Sequence, residues 1–256
     1  MWNDAIDLRD FYHGSLGQAV RRVLRGRIRA LWPDTKGLSV LGLGYATPFL
    51  GPLRADADRV LAVMPAQQGV VRWPADGPSL TTLADETDLP LADLSIDRAL
   101  LIHSAECAEQ IRPMLREAWR VLAGNGRLLV IVPSRRGLWA RFDRTPFGHG
   151  RPYSRGQLTR LLRDNLFTPI ESHNALFCPP LAWRLLLRAA PAWEAVGQRW
   201  FSTFGGLIMI EATKQIYAAP NAIPVRRRAR AYQTAVGNPS GVASRQLTAG
   251  TRTFPR

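Results

Sequence analysis

Short unbroken apolar runs separated by helical segments constrain this chain more than any other feature. "LSVLGL" (38–43), "RVLAVM" (59–64), "DRALLIH" (97–103) and "GRLLVIVP" (126–133) each read as an apolar strand, and "SLTTLA" (79–84) as a weaker one. Strands of that kind are buried on both faces, as in a parallel sheet covered by helices. A helix is expected over 106–122, stopping at Gly124, and further strands at "PIESHNALFC" and at "GGLIMIEATKQIY" (205–217). The expected fold is α/β: a three-layer, doubly wound, mostly parallel seven-stranded sheet with an N-terminal helix.

That helix is expected over 8–32, where Leu16, Val20, Val23, Leu24, Ile28 and Leu31 recur at helical spacing, and it ends before Pro33 and Gly37. Gly124 and Gly126 suit a positive-φ turn that redirects the chain into the next strand. After Pro133 the stretch "SRRGLWARFDRTPFGHGRPY" (134–153) has no period, and a loop of that length is more often functional than idle. Ser154 is a good N-cap for the helix that follows. Residues 181–203 read as a longer helix, its Leu and Trp side chains serving as core or as a lid. The domain reading is an N-terminal helical extension (1–36), a central domain (37–217) and a basic, disordered tail (218–256).

The 46% hydrophobic content of 256 residues supports a sizeable core. The N-terminus lacks the basic and apolar regions of a secretory signal, and Arg184, Arg188 and Glu194 interrupt the longest apolar stretch, which disfavours a membrane span. Two cysteines, Cys107 and Cys178, are too few for a disulfide scaffold or a zinc cage, so no metal site is expected. A cytoplasmic location fits these features. Of the net charge of +14, seven arginines lie in residues 220–256 with no acid among them. Charge alone does not make a nucleic-acid binder, and the arginine skew is consistent with a biased base composition.

The stretch "ADETDLPLADLSIDRALLIHSAECAEQIRPMLREAWRVLAGNGRLLVIVPSRRG" has the pieces of a known pattern in order and at the right spacing. They are Asp85, Leu89-Pro90, Asp97, Arg120-Val121-Leu122 and Gly124-Asn125-Gly126. The stretch resembles the class I S-adenosylmethionine-dependent methyltransferases, specifically the methyltransferase type 11 group, clearly over about 38–133 and loosely to about 217. The resemblance implies a Rossmann-like methyltransferase fold and S-adenosylmethionine as cofactor. It implies a cofactor site at Gly42, Gly44, Tyr45, Met64, Asp85 and Glu86, with the acid after the third strand accepting from the adenine amino group. Two departures stand out. Gly42 replaces the acid of the first loop, with Ala46 and Pro48 in place of later glycines, and Met64 replaces the ribose-binding acid, a thioether being a weak acceptor.

His103 ends the fourth strand, where the family lines its pocket, and is the candidate general base; a structural hydrogen bond is the plain alternative. Arg135, Trp139, His149, Arg151 and Tyr153 are candidates for the acceptor site, with Arg136 and Arg141 as further anion-recognising groups. The expected acceptor is an unidentified small molecule or protein, and the basic loop or tail suits a protein partner. Two other readings remain open at this level. One is a methyltransferase-fold protein without cofactor binding that serves as a partner subunit or scaffold; the weaker one is a nucleic-acid binder using the Arg-rich tail.

Overall fold

The structure is a computed structural model that describes residues 3–181, 190–200 and 202–215. Contacts group Met1–Ala218 into one compact unit. The expected tail, and Trp183, Leu185, Leu186 and Phe201 of the expected 181–203 helix, lie outside the described residues.

The strands are β1 (Ser39–Gly44), β2 (Arg59–Pro65), β3 (Thr81–Ala84), β4 (Ile96–Ile102), β5 (Leu122–Pro133), β6 (Phe167–Ala175) and β7 (Leu207–Lys214). They form one seven-stranded sheet in the order β3-β2-β1-β4-β5-β7-β6. β1 to β5 are mutually parallel, and β7 runs antiparallel between β5 and β6. The expected α/β sheet is present, and strand order reverses between β1 and β4. In open α/β sheets such a reversal opens a crevice at the carboxyl ends of the strands.

Alternate strand residues explain the two cores. Val40, Ala62, Met64, Leu100, Ile102, Leu129, Ile131 and Met209 face the side covered by α1 (Ala5–His13), α2 (Ser15–Leu31) and α3 (Thr47–Arg54). Leu41, Leu43, Val63, Leu101, Val130 and Ile210 face α4 (Ile111–Val121) and α5 (Arg155–Asp164). Trp32, just past α2, fixes that helix to β7 by donating its indole N–H to the buried Glu211 carboxylate at 2.9 Å.

Three expectations need correction. The single helix 8–32 is two helices, broken at Gly14, which is extended and donates its N–H to the Asp10 and Phe11 carbonyls. Gly17 lets them touch, since a Cβ there would stand 2.0 Å from the Phe11 carbonyl oxygen. Second, neither Gly124 nor Gly126 has a positive φ. β5 already begins at Leu122, and Gly126 is demanded by crowding, a Cβ lying 2.8 Å from the Ala123 carbonyl oxygen. Third, α6 (Ala190–Trp200) turns Trp193, Val196 and Trp200 outward rather than into the core. Its inner face is Glu194, which accepts from the Phe177 N–H at 2.8 Å, and Gly197 against the Phe177 ring. Ser154 does cap α5, in a reciprocal box with Gln157.

The Leu-Pro and Arg-Val-Leu pieces of the pattern meet at one clamp. The Arg120 guanidinium donates to the Leu89 and Leu91 carbonyls (2.9 and 2.8 Å), to Asp93 (2.6 Å) and to Glu117, while Glu117 accepts from the Leu89 N–H at 3.0 Å. The clamp ties the segment before β4 to α4, and its hydrogen bonds hold the Glu117 carboxyl below its usual range. Lysine cannot reproduce this planar fork. Arg120→Lys should therefore lower stability by about 1–2 kcal/mol, read from urea unfolding; an unchanged midpoint and slope would refute the clamp.

Candidate active site

The crevice at the carboxyl ends of β1 and β4 is built first by backbone. Gly44 ends β1 with φ +88, and a Cβ there would lie 2.3 Å from the Ile102 carbonyl oxygen and 2.8 Å from Ser104 Cβ. Only glycine lets these two strand ends approach so closely. Gly42, one turn of the pleat earlier, is held by packing: a Cβ would meet Ala46 Cβ at 2.6 Å and Leu50 Cδ1 at 2.8 Å. An acid has no room there.

His103 follows β4 in the left-handed region, at φ +51, and is fully buried. A non-glycine residue held there is strained, by roughly 1–3 kcal/mol, and such strain gathers at functional sites. Its Nε2 lies 2.7 Å from the Tyr12 hydroxyl of α1, and its Nδ1 lies 3.7 Å from Glu106 Oε1. The second distance is too long for a hydrogen bond. Gln68 reaches in from beyond β2, donating its side-chain N–H to the His103 carbonyl at 2.9 Å.

This cluster is poorly satisfied. Gln68 Oε1, His103 Nδ1, Ser104 Oγ and both carboxylate oxygens of Glu106 are buried without a well-formed hydrogen-bond partner. Most buried polar atoms in native proteins do have one. Burial pushes the Glu106 carboxyl up to about 7, with the backbone N–H groups of Glu106 and Ser104 pulling weakly the other way. Burial also lowers the His103 imidazole to about 3, so it is neutral.

Helix α1 roofs the cluster. Leu8 and Tyr12 are buried, Tyr12 stacks on Tyr45 with ring centroids 5.9 Å apart, and the Ala5 N–H donates to the Gln68 carbonyl at 2.8 Å. Phe147 of the 134–153 loop completes the wall, its ring 4.7 Å from the His103 ring.

The sequence-derived candidates sort as follows. Gly44, Tyr45 and His103 converge on this site. Met64 is fully buried beside them, its sulfur accepting from the Val71 N–H at 3.4 Å. Asp85 is exposed at the end of β3, its carboxylate turned onto the Thr87 N–H and hydroxyl, and those bonds lower its pKa. Neighbouring Glu86 is buried, which raises its pKa. Of the acceptor candidates, the Arg151 N–H donates to the Glu106 carbonyl (2.7 Å) and the Tyr153 hydroxyl to the Ala105 carbonyl (3.3 Å), so both brace the segment after β4. Trp139 is buried and donates to the Cys178 carbonyl; Arg135 donates to the Pro152 carbonyl. His149 faces the outer side of α1, lining a cleft of about 230 Å³ with Asp7, Leu8 and Phe11, and holds the Asp143 carbonyl at 2.9 Å. The sequence reading missed Tyr12, Ser104 and Glu106. Their signals were faint: one tyrosine in a distant helix, and a carboxylate set among Ala105, Cys107 and Ala108. Among the described residues no helix is long and apolar enough to cross a membrane, and no group of three or more His, Cys, Asp and Glu could hold a metal ion.

The Glu106 shift has a measurable consequence. A carboxyl at 4.5 when unfolded and about 7 when folded binds its proton more tightly in the native state. Its contribution is complete below the unfolded value and is lost as pH rises towards 7. Glu106→Gln removes that loss. The variant should gain up to about 3 kcal/mol relative to the parent between pH 4.5 and pH 8, measured by urea unfolding at both; an equal difference at both pH values would refute the burial of an unpaired carboxyl.

Residues 41–130 match the model of a family described as a methyltransferase domain. No curated protein sequence matches the chain. Among solved structures, an S-adenosylmethionine-dependent methyltransferase from Thermotoga maritima is similar at 18% identity and a TM-score of 0.57, covering 81% of this chain and 94% of that one. A chain described as a methyltransferase, in complex with a methyltransferase activator from Haloferax volcanii, is similar at 18% identity and a TM-score of 0.53 (84% and 94%). The [4+2]-cyclase SpnF is similar at 18% and 0.53 (78% and 83%). Likeness at these identities shows the fold. Residues 41–130, which run from β1 to β5, thus match a methyltransferase-domain model, on a fold shared with S-adenosylmethionine-dependent methyltransferases.

Proposed function

We propose that this chain transfers a methyl group from S-adenosylmethionine to a small-molecule or protein acceptor, using the crevice at the ends of β1 and β4. The observation that carries this reading is the unsatisfied buried cluster of Gln68, His103, Ser104 and Glu106 at the carboxyl ends of β1 and β4. These acceptor-rich side chains suit the ammonium end of the cofactor, and the Gly44 cradle suits close backbone approach. The ribose end fits less well, since Met64 is turned onto the Val71 N–H and offers no carboxylate. Asp85 and Glu86, beyond β3, would hold the adenine side. The cofactor supplies an electrophilic methyl on a sulfonium. The chain's own share is to orient the two reactants, exclude water and accept a proton. His103 Nε2 is the atom placed for that, once Tyr12 leaves it. Acceptor recognition falls to the 134–153 segment.

One observation favours a second reading. Tyr12, Tyr45 and Leu8 fill the space above the cluster, as in a methyltransferase-fold subunit that no longer binds cofactor. The nucleic-acid alternative rests on the Arg-rich tail, outside the described residues. Calorimetry separates the first two. S-adenosylmethionine and S-adenosylhomocysteine should bind in the micromolar range, and Asp85→Ala should weaken both about tenfold, the loss of one charge-assisted hydrogen bond. Absence of heat at millimolar ligand leaves the partner-subunit reading standing.

A further inference from the structure

Helix α1 covers the crevice through its buried Ala5, Leu8 and Tyr12 side chains, with Tyr12 against Tyr45 and Phe49. Among the described residues, its polar links to the rest of the site include the Ala5 N–H to the Gln68 carbonyl, the side chain of Asn3 just before it to the Pro146 carbonyl, and the Tyr12 hydroxyl to His103. It has nine residues and joins α2 through the single extended Gly14. A cleft of about 230 Å³ runs beside it, lined by Asp7, Leu8 and Phe11. Beneath it lie five polar atoms without well-formed partners, of which Gln68 Oε1 and the two Glu106 oxygens accept hydrogen bonds. Gln68, Ser104 and Glu106 are at most 2% exposed. The closed arrangement thus leaves buried acceptors unmet, and a ligand that brings several N–H donors recovers what closure forfeits.

Resting on the methyltransferase reading, we propose that α1 is a displaceable plug over an ammonium-binding site formed by Gln68, Ser104 and Glu106, with the Tyr12 hydroxyl holding His103 Nε2 until a ligand displaces the helix. The ligand class is a primary ammonium compound. The ammonium belongs either to the amino-acid end of the cofactor or to a free amino acid or amine. A three-donor cation matches the acceptors exposed there, and Glu106 supplies the countercharge. Because only the open form is competent, the apparent dissociation constant exceeds the intrinsic one by the inverse of the open fraction. Loosening the plug therefore tightens binding without a new contact.

The test uses the full chain, with hydrogen exchange of the α1 amides as readout and three probes. S-adenosylhomocysteine carries both nucleoside and ammonium, 5′-methylthioadenosine the nucleoside alone, and methionine the ammonium alone. Exchange in α1 should accelerate with S-adenosylhomocysteine and with methionine, and stay unchanged with methylthioadenosine. Tyr12→Phe strips the plug's hold on His103 and should tighten S-adenosylhomocysteine about three- to tenfold. Glu106→Gln should weaken it at least tenfold and leave methylthioadenosine unaffected, with the unfolding measurements above confirming that the variant folds. Equal acceleration by methylthioadenosine, or weaker binding by Tyr12→Phe, overturns the proposal. S-adenosylhomocysteine binding with α1 still protected overturns the plug while the methyltransferase reading stands. Methionine opening α1 while S-adenosylhomocysteine is silent upholds the ammonium site and sinks the cofactor reading. Silence from all three probes overturns both.

Discussion

The close approach of β1 and β4 at Gly44 is the constraint on which the rest of this molecule depends. Parallel pairing carries β1 to Gly44 opposite Ile102, and the next residue of the neighbouring strand is His103. The chain must leave both strands at the same height and in different directions. Gly44 does so at a positive φ without a side chain, and His103 does so at a positive φ despite having one. That turn aims the imidazole into the crevice rather than along the sheet, and it places Ser104 and Glu106 beside it. Everything above, from the Tyr12 hydroxyl to the Phe147 ring, packs against what the two strand ends leave exposed.

The sheet was legible because its physics is local. Parallel strands covered on both faces need uninterrupted apolar runs, and "RVLAVM" or "GRLLVIVP" can hardly be anything else at those lengths. Ser154 was legible for a similar reason, since a capping box closes within four residues. The failures share an opposite cause. Gly14 breaks the first helix in a conformation open to any residue, so nothing in the sequence marked the break. Gly126 is fixed by crowding from Ala123 and Leu122, which mimics in sequence a turn that is not formed. The outward face of α6 follows from Glu194 finding the Phe177 N–H, a tertiary match that inverts the usual ranking of tryptophan and glutamate.

The site was legible only in part, and along the same divide. His103 could be named because strand ends line the crevice of any such sheet. Tyr12 could not, because its partner lies 91 residues away and nothing in "DFYHG" requires it. Glu106 carried a signal that went unused: a carboxylate three residues after His103, bracketed by small apolar residues, is already a candidate for burial. The departures at Gly42 and Met64 acquire separate explanations. Gly42 is where α3 packs onto β1, so an acid is sterically excluded, whereas Met64 accepts from the Val71 backbone N–H. The first departure concerns packing; the second, on the proposed function, concerns the cofactor's ribose.

Burial links access and chemistry in this site. With α1 closed, His103 is held neutral with its pKa near 3 and its Nε2 against the Tyr12 hydroxyl, so it is a weak base. Glu106, pushed to about 7, is then the group that exchanges a proton near neutrality, yet it is buried. Lifting α1 reverses both conditions together. Water and ligand reach the cluster, desolvation relaxes, and the imidazole regains basicity as the Tyr12 hydroxyl departs. On the methyltransferase reading, a base that works only in the open form cannot act before its substrate has entered. The helix that hides His103 would thereby also determine when it can take a proton.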